Sequence, residues 1–234
     1  MITSTHNTHL KEIRRLHRRR GRDQAGRFVA EGEDLVAAAD AAGWPALERY
    51  CAAGSGVRGT EVAPEALRAV STLGSGTRAL AVYEQRWVAP AGPLCVALWG
   101  VADPGNVGTV LRSAAAFRAA SVALGPGCAD PYGPKAVRAS MGAVFAVPLA
   151  RVRAPDELPG ERVALVAGKG EPLREVAGDP RGEVSVLTGA ERDGLPADVV
   201  AACDRVAHIP IATESLNAAM AATIALYELR MARP

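Results

Sequence analysis

Apolar and polar positions follow two different rhythms along the 234-residue chain. Up to about residue 85 the runs are short. Residues 5–20 predict a basic helix, Gly21 to Gly26 a turn, and Arg27–Ala30 a short extended piece. Glu33–Ala42 then reads as a helix ended by Gly43 and Pro45, residues 47–53 as a strand, 64–70 as a helix with Pro64 in its first turn, and 78–83 as a strand. Together these make a small α/β unit. The stretch Trp87–Pro93 holds two prolines and a glycine and reads as a linker. Beyond it the rhythm is regular. Strand-like apolar runs fall at Leu94–Val101, Ser121–Leu124, Val163–Val166, Val184–Leu187 and His208–Ile211, with helical patterns at 106–118, 134–145 and 215–231. Strands alternating with helices predict a mostly parallel sheet covered on both faces. The expected domains are therefore 1–88 and 93–234.

Composition adds one asymmetry. Apolar residues make up 49% and charged residues 22%, as in an ordinary globular protein. The net charge of +2 is unevenly spread: residues 1–27 sum to +6 and the remainder to −4. A basic block of this kind fits either a grip on a polyanion, through phosphate contacts and counterion release, or a solvated tail. Cys51, Cys95, Cys128 and Cys203 are scattered, and His6, His9 and His17 lie in the basic arm, so no metal site is expected. Scattered cysteines without an apolar leader point to a reducing cytoplasm. No apolar stretch approaches the ~20 residues of a membrane span.

Gly54-Ser-Gly-Val-Arg-Gly59 matches G-x-G-x-x-G, but a dinucleotide site needs a helix to open at the glycines. Here Thr60–Val62 reads as extended and Pro64 starts the next helix too late, so a glycine-rich turn is expected. Three other segments offer chemistry. In Asp103-Pro-Gly-Asn106 a strand ends in a tight turn, with Asn106 at a helix N-cap position and Arg112 less than two turns on. Leu187-Thr-Gly-Ala-Glu-Arg-Asp-Gly194 runs a buried strand into a loop whose glycines allow close approach of a ligand, with Glu191 between them. Ile209–Asn217 precedes an alanine-rich helix that Ser215 can cap, with Asn217 in its first turn. Each segment alone reads more readily as a plain capped helix or strand turn.

Taken in this order, Asn106–Arg112, Gly189–Glu191 with Gly194 and Leu195, and Ser215–Asn217 resemble the three signature motifs of the SpoU (TrmH) family in the SPOUT superfamily. Asp130–Gly142 resembles the family's connecting segment. Arg27–Gly32 and Ala79–Val82 are similar to its ribosomal-protein-like substrate-binding domain. The resemblance implies an α/β fold: a small N-terminal α/β domain and a C-terminal parallel-sheet SPOUT domain with a deep trefoil knot. It also implies a homodimer whose sites take groups from both chains. The implied activity is 2′-O-ribose methylation of structured RNA by S-adenosyl-L-methionine, on 23S-type ribosomal RNA ahead of transfer RNA. Cofactor positions carried over are Leu187, Thr188, Gly189, Gly194, Ile209, Ile211 and Leu216. Catalytic positions are Asn106, Arg112, Glu191, Ser215 and Asn217. Lys11, Arg14, Arg15, Arg18, Arg19, Arg20 and Arg22 would meet RNA phosphates. The donated methyl is already electrophilic, so no metal is implied. A guanidinium is not deprotonated in proteins, so Arg112 is expected to orient the ribose hydroxyl and an adjacent phosphate. Ile209-Pro-Ile211 reaches Ser215 through Ala212, Thr213 and Glu214 alone, a shorter loop than the family's and without its glycine. The rival expectation is an RNA-binding protein of the same fold that has lost turnover.

Overall fold

The structure, a computed structural model, describes residues 1–178 and 182–232. Its N-terminal strands are β1 (Arg27–Glu31), β2 (Glu48–Ala52), β3 (Thr60–Val62) and β4 (Ala79–Glu84), and they form one sheet in the order β1-β4-β2-β3. The second set is β5 (Leu94–Leu98), β6 (Ser121–Leu124), β7 (Leu149–Arg151), β8 (Glu161–Leu165), β9 (Glu171–Pro172), β10 (Val184–Thr188) and β11 (Arg205–His208). These form a seven-stranded sheet in the order β7-β6-β5-β10-β8-β11-β9, with every neighbouring pair parallel. The central strands β5 and β10 are buried at every residue, which is why they read as unbroken apolar runs. The parallel sheet expected from the strand–helix rhythm is thus present.

The helices are α1 (Thr8–Leu16), α2 (Arg19–Ala25), α3 (Glu33–Ala41), α4 (Pro64–Arg68), α5 (Pro104–Ala116), α6 (Pro134–Ala139), α7 (Leu173–Gly178), α8 (Ala197–Ala201) and α9 (Ala218–Met231). α5 packs on α6 and α9, and α9 lies against β5 and β10. On the other face Leu187, Ala97 and Ala123 pack with Val199 of α8.

The two sheets share a core. Phe28 and Tyr83 of the first sheet meet Tyr132 and Phe145 of the second half, with ring centroids 4.6 Å apart for Phe28–Tyr132 and 5.0 Å for Tyr83–Phe145. Each such pair adds ~0.5–1.5 kcal/mol beyond its burial. Beside them Arg22 is sealed in an ion pair with Asp130: Nε and Nη2 each lie 2.7 Å from Oδ2. Arg22 Nη1 donates to the Leu16 and His17 carbonyls, and Asp130 Oδ1 accepts the Tyr132 amide. The Trp87–Pro93 stretch is not free either, since the Val88 amide donates to Leu149 O and the Ala91 amide to Ser121 Oγ.

Several local expectations shift. The basic helix of residues 5–20 is two helices. α1 is capped by Asn7, whose side chain accepts the His9 amide, and the chain turns at His17 and Arg18 before α2. Gly21, read as a turn residue, is helical: a Cβ there would sit 2.1 Å from the Arg15 carbonyl oxygen, so the glycine serves a close crossing of α1 and α2. The helix expected over 134–145 stops at Ala139, because Met141 and Gly142 both take positive φ (50° and 91°) before a short 3₁₀ turn at Ala143–Phe145. The strand expected at His208–Ile211 is β11 at Arg205–His208, ending ahead of Pro210, which has no amide to pair. Gly54–Gly59 is a loop followed by β3, as its sequence suggested.

Candidate active site

A cavity of about 400 Å³ opens past the carboxyl ends of β8, β10 and β11, the edge of a parallel sheet where α/β proteins hold ligands. Its volume falls in the usual range for a small-molecule site. Leu165, Ile209, Ile211 and Leu216 give it apolar walls, and Ala218 and Ala221 of α9 leave one wall shallow. Leu165 to Ala167, which line it beside Thr188, are wall residues that sequence reasoning missed. Their signal was present in the apolar run ending at Val166, but its adjacency to β10 was not.

Gly189 and Gly194 build the loop at the rim. Ala190 and Gly194 exchange two backbone hydrogen bonds, 3.1 and 3.0 Å. A Cβ on Gly189 would lie 2.1 Å from the Gly194 carbonyl carbon, so only glycine lets the loop close this tightly. Thr188 lines the cavity with a buried hydroxyl that has no hydrogen-bond partner among the described residues. An unpaired buried polar group costs ~1–3 kcal/mol, which a ligand able to hydrogen-bond it would recover. Leu187 is a correction among the expected cofactor positions. Strand alternation turns its side chain to the opposite face, into the cluster with Val199, and it does not line the cavity.

At the rim Asn106, Glu191 and Asn217 form one hydrogen-bonded row, although they are 85 and 111 residues apart in sequence. Its polarity can be read from one end. Asn217 caps α9, its Oδ1 accepting the Ala219 and Met220 amides at 2.9 and 3.3 Å. Its Nδ2 therefore faces Asn106 Oδ1, 3.2 Å away, which turns the Asn106 amide NH₂ onto the Glu191 carboxylate. Asn217, not Ser215, is thus the helix cap. Likewise Asp103, not Asn106, caps α5, since Asp103 Oδ1 accepts the Asn106 amide at 3.0 Å. Lys135 at 3.0 Å holds the Asp103 carboxyl below its ordinary pKa, helped by that amide. Asp103 opens this segment in the sequence, and an Asp ahead of Pro104 is itself the stronger helix-start signal.

Ser215 lines the cavity without joining the row. Arg112 lies apart on the exposed side of α5, and its guanidinium makes no hydrogen bond or ion pair among the described residues. In the basic arm, Lys11, Arg15, Arg18, Arg19 and Arg20 are exposed, and Arg14 donates to the Thr5 carbonyl. Arg22 is a correction to the expected RNA contacts, because its charge is spent inside the protein on Asp130. Among the described residues no group of three His, Cys, Asp or Glu is placed to hold a metal.

The SpoU rRNA methylase family model matches residues 93–227. The chain belongs to the SpoU rRNA methylase family. A second model, the MRM3-like substrate binding domain, matches residues 7–85. The chain is 29% identical to the Bacillus subtilis 23S rRNA (guanosine(2553)-2′-O)-methyltransferase RlmP, over 98% of each protein. It is 33% identical to a Synechocystis protein described as an uncharacterized tRNA/rRNA methyltransferase, over 98% of this chain and 93% of that one. Among solved structures, the AdoMet-bound rRNA methyltransferase from Sinorhizobium meliloti superposes with a TM-score of 0.87 at 31% identity, covering 98% and 97% of the two chains. AviRb from Streptomyces viridochromogenes with AdoMet gives 0.84 at 28%, covering 96% and 97%.

Proposed function

We propose that this SpoU family member transfers a methyl group from S-adenosyl-L-methionine to a ribose 2′-hydroxyl of structured RNA, with 23S-type ribosomal RNA ahead of transfer RNA as substrate. One observation carries the reading: three distant segments meet as a single polarised row, Asn217 to Asn106 to Glu191, at the rim of a ligand-sized cavity. The cavity fits the cofactor, with apolar walls, a closely folded glycine loop and an orphaned Thr188 hydroxyl. S-adenosylmethionine, when bound, supplies an electrophilic sulfonium methyl. The remaining work is alignment, which is what fixed side chains do best.

Leu165, Ile209, Ile211 and Leu216 hold the cofactor's apolar surfaces, Thr188 offers its hydroxyl, and Gly189 and Gly194 let backbone groups come close. Asn106 presents an amide whose orientation Glu191 and Asn217 fix, and Ser215 lines the cavity wall. Arg112 orients the ribose hydroxyl and a neighbouring phosphate by charge-assisted hydrogen bonds.

Arg112 reaches a site by dimerisation in this reading. α9 leaves Met220, Tyr227 and Met231 exposed at 62%, 50% and 62%, and Tyr227 packs on Phe117 just beyond α5. A homodimer covering this apolar face would carry the free guanidinium of one copy to the other. Light scattering at the mass of one chain would remove it. The trefoil knot, the division at residues 88–93 and a cytoplasmic setting belong to the same reading. No helix among the described residues is long and apolar enough to cross a membrane.

The test is transfer of a tritiated methyl group to total ribosomal and transfer RNA, followed by mapping of the modified ribose. Label at a 2′-O position supports the reading. Cofactor binding with no transfer to any RNA would favour the non-catalytic rival.

A further inference from the structure

A second cavity of about 250 Å³ opens on the same edge of the seven-stranded sheet, past the ends of β6 and β7. Both halves of the chain line it: Arg19 of α2 and Trp87 come from one, and Arg151, Arg153, Gly125 and Pro126 from the other. Three of its four charged lining groups are guanidiniums. The fourth, Asp130, is already neutralised by Arg22. Asp23 pairs with two of these arginines, 3.5 Å from Arg151 and 3.8 Å from Arg19, and the Glu157 carboxylate accepts the Arg153 amide at 2.7 Å. Arg151 lies over the Trp87 ring, 4.0 Å from its centroid, with 54% of its side chain still open. The Arg153 guanidinium has no partner among the described residues. Three guanidiniums against Asp23 and a Glu157 carboxylate held by two backbone amides leave a positive balance that favours an anion.

The crevice adjoins the cofactor cavity. A Cβ on Gly127 would lie 3.1 Å from Gly100 Cα, and one on Gly100 would lie 3.6 Å from Ala190 Cβ in the loop that carries Glu191. The ends of β6 and β10 are two strand spacings apart, about 10 Å. That keeps the crevice within a few nucleotides of the methyl-donor cavity along an RNA strand.

We propose that this crevice grips the phosphodiester backbone of the RNA a few nucleotides from the modified ribose, through Arg151 and Arg153 from one half of the chain and Arg19 from the other. It rests on the reading that the substrate is RNA. Trp87 orients Arg151 by its ring face. The buried Arg22–Asp130 pair fixes α2 against the segment after β6, so the two halves keep a constant separation. The crevice therefore meets phosphates at a set distance from the methyl-donor cavity.

The test compares the wild-type full chain with a double variant, Arg151→Ala with Arg153→Ala. An in-vitro transcript of large-subunit ribosomal RNA is bound across a salt series, and S-adenosylmethionine binding is measured by calorimetry. The double variant is expected to lose RNA affinity tenfold or more. Its slope of log K against log salt should fall by about 1.4–1.8, from ~0.7–0.9 per lost phosphate contact. Cofactor affinity should not change, and Arg151→Lys alone should keep most of the slope. RNA affinity within twofold of wild type, with an unaltered slope, overturns the proposal. Failure of the wild type to methylate any RNA would instead remove the functional reading, while a shallower slope in the double variant would still locate RNA backbone in the crevice.

Discussion

The cofactor cavity and the basic arm are built in opposite ways. At the cavity, segments far apart in the chain converge so that each amide's orientation is dictated by the next, from the Asn217 cap through Asn106 to Glu191. Along α1 and α2 the charges are spread over exposed surface and paired with near neighbours, Arg15 with Glu12 and Arg19 with Asp23. Methyl transfer needs atoms held in line, whereas holding a polyanion needs charge density and tolerates motion. Single changes should therefore be severe at the cavity and mild on the arm, with Arg22 the exception.

Asn106→Ala tests the severe side. It removes the middle of the row and should lower kcat at least ~100-fold, the scale of a misaligned reacting group. S-adenosylmethionine affinity by calorimetry should stay within a few-fold, and a fully active variant would take Asn106 out of the machinery. The exception is tested next. Asp130→Ala leaves Arg22 buried without its partner and should cost about 3–5 kcal/mol in denaturant unfolding. Arg20→Ala, two residues before Arg22 and exposed, should stay within ~0.5 kcal/mol. Equal effects would mean that Arg22 is no different from the rest of the arm.

A smaller loss is expected from Arg112→Lys, which keeps the charge and loses the guanidinium fork. Single-turnover methylation should slow by about tenfold, near the ~1.5–3 kcal/mol of a charged hydrogen bond. Full activity would reduce Arg112 to a bare charge. Thr188→Val should have the smallest effect. It removes a hydroxyl that is unpaired among the described residues, so thermal stability should hold or rise while S-adenosylmethionine binds several-fold more weakly, for one hydrogen bond of ~0.5–1.5 kcal/mol. Unchanged cofactor affinity would leave that hydroxyl without a role.

How far the sequence could be read depended on the range of the interaction involved. The parallel sheet was legible because β5 and β10 are buried on both faces and so are apolar throughout. Asn106, Glu191 and Asn217 were legible as residue types within motifs. Their mutual contact was not, since it depends on strand order bringing together positions 85 and 111 residues apart. The same limit hid the fate of Arg22, whose partner lies 108 residues away. Gly21 misled for another reason: a glycine that admits a crossing helix and one that makes a turn look identical in sequence. Leu187 was carried over with its neighbours, yet period-two alternation alone turns it away from Thr188 and the cavity.

The aromatic contacts of Phe28 and Tyr83 with Tyr132 and Phe145 bear on how such proteins can be recombined. The proline-rich join at residues 87–93 looks like the natural place to exchange one RNA-gripping half for another. A chimera cut there would separate rings packed against one another at tilted and edge-on angles and strand Asp130 opposite a foreign helix. An exchange that also carries residues 128–146 would keep the seam intact, and the two halves should then melt in one cooperative transition, as a single unit of selection.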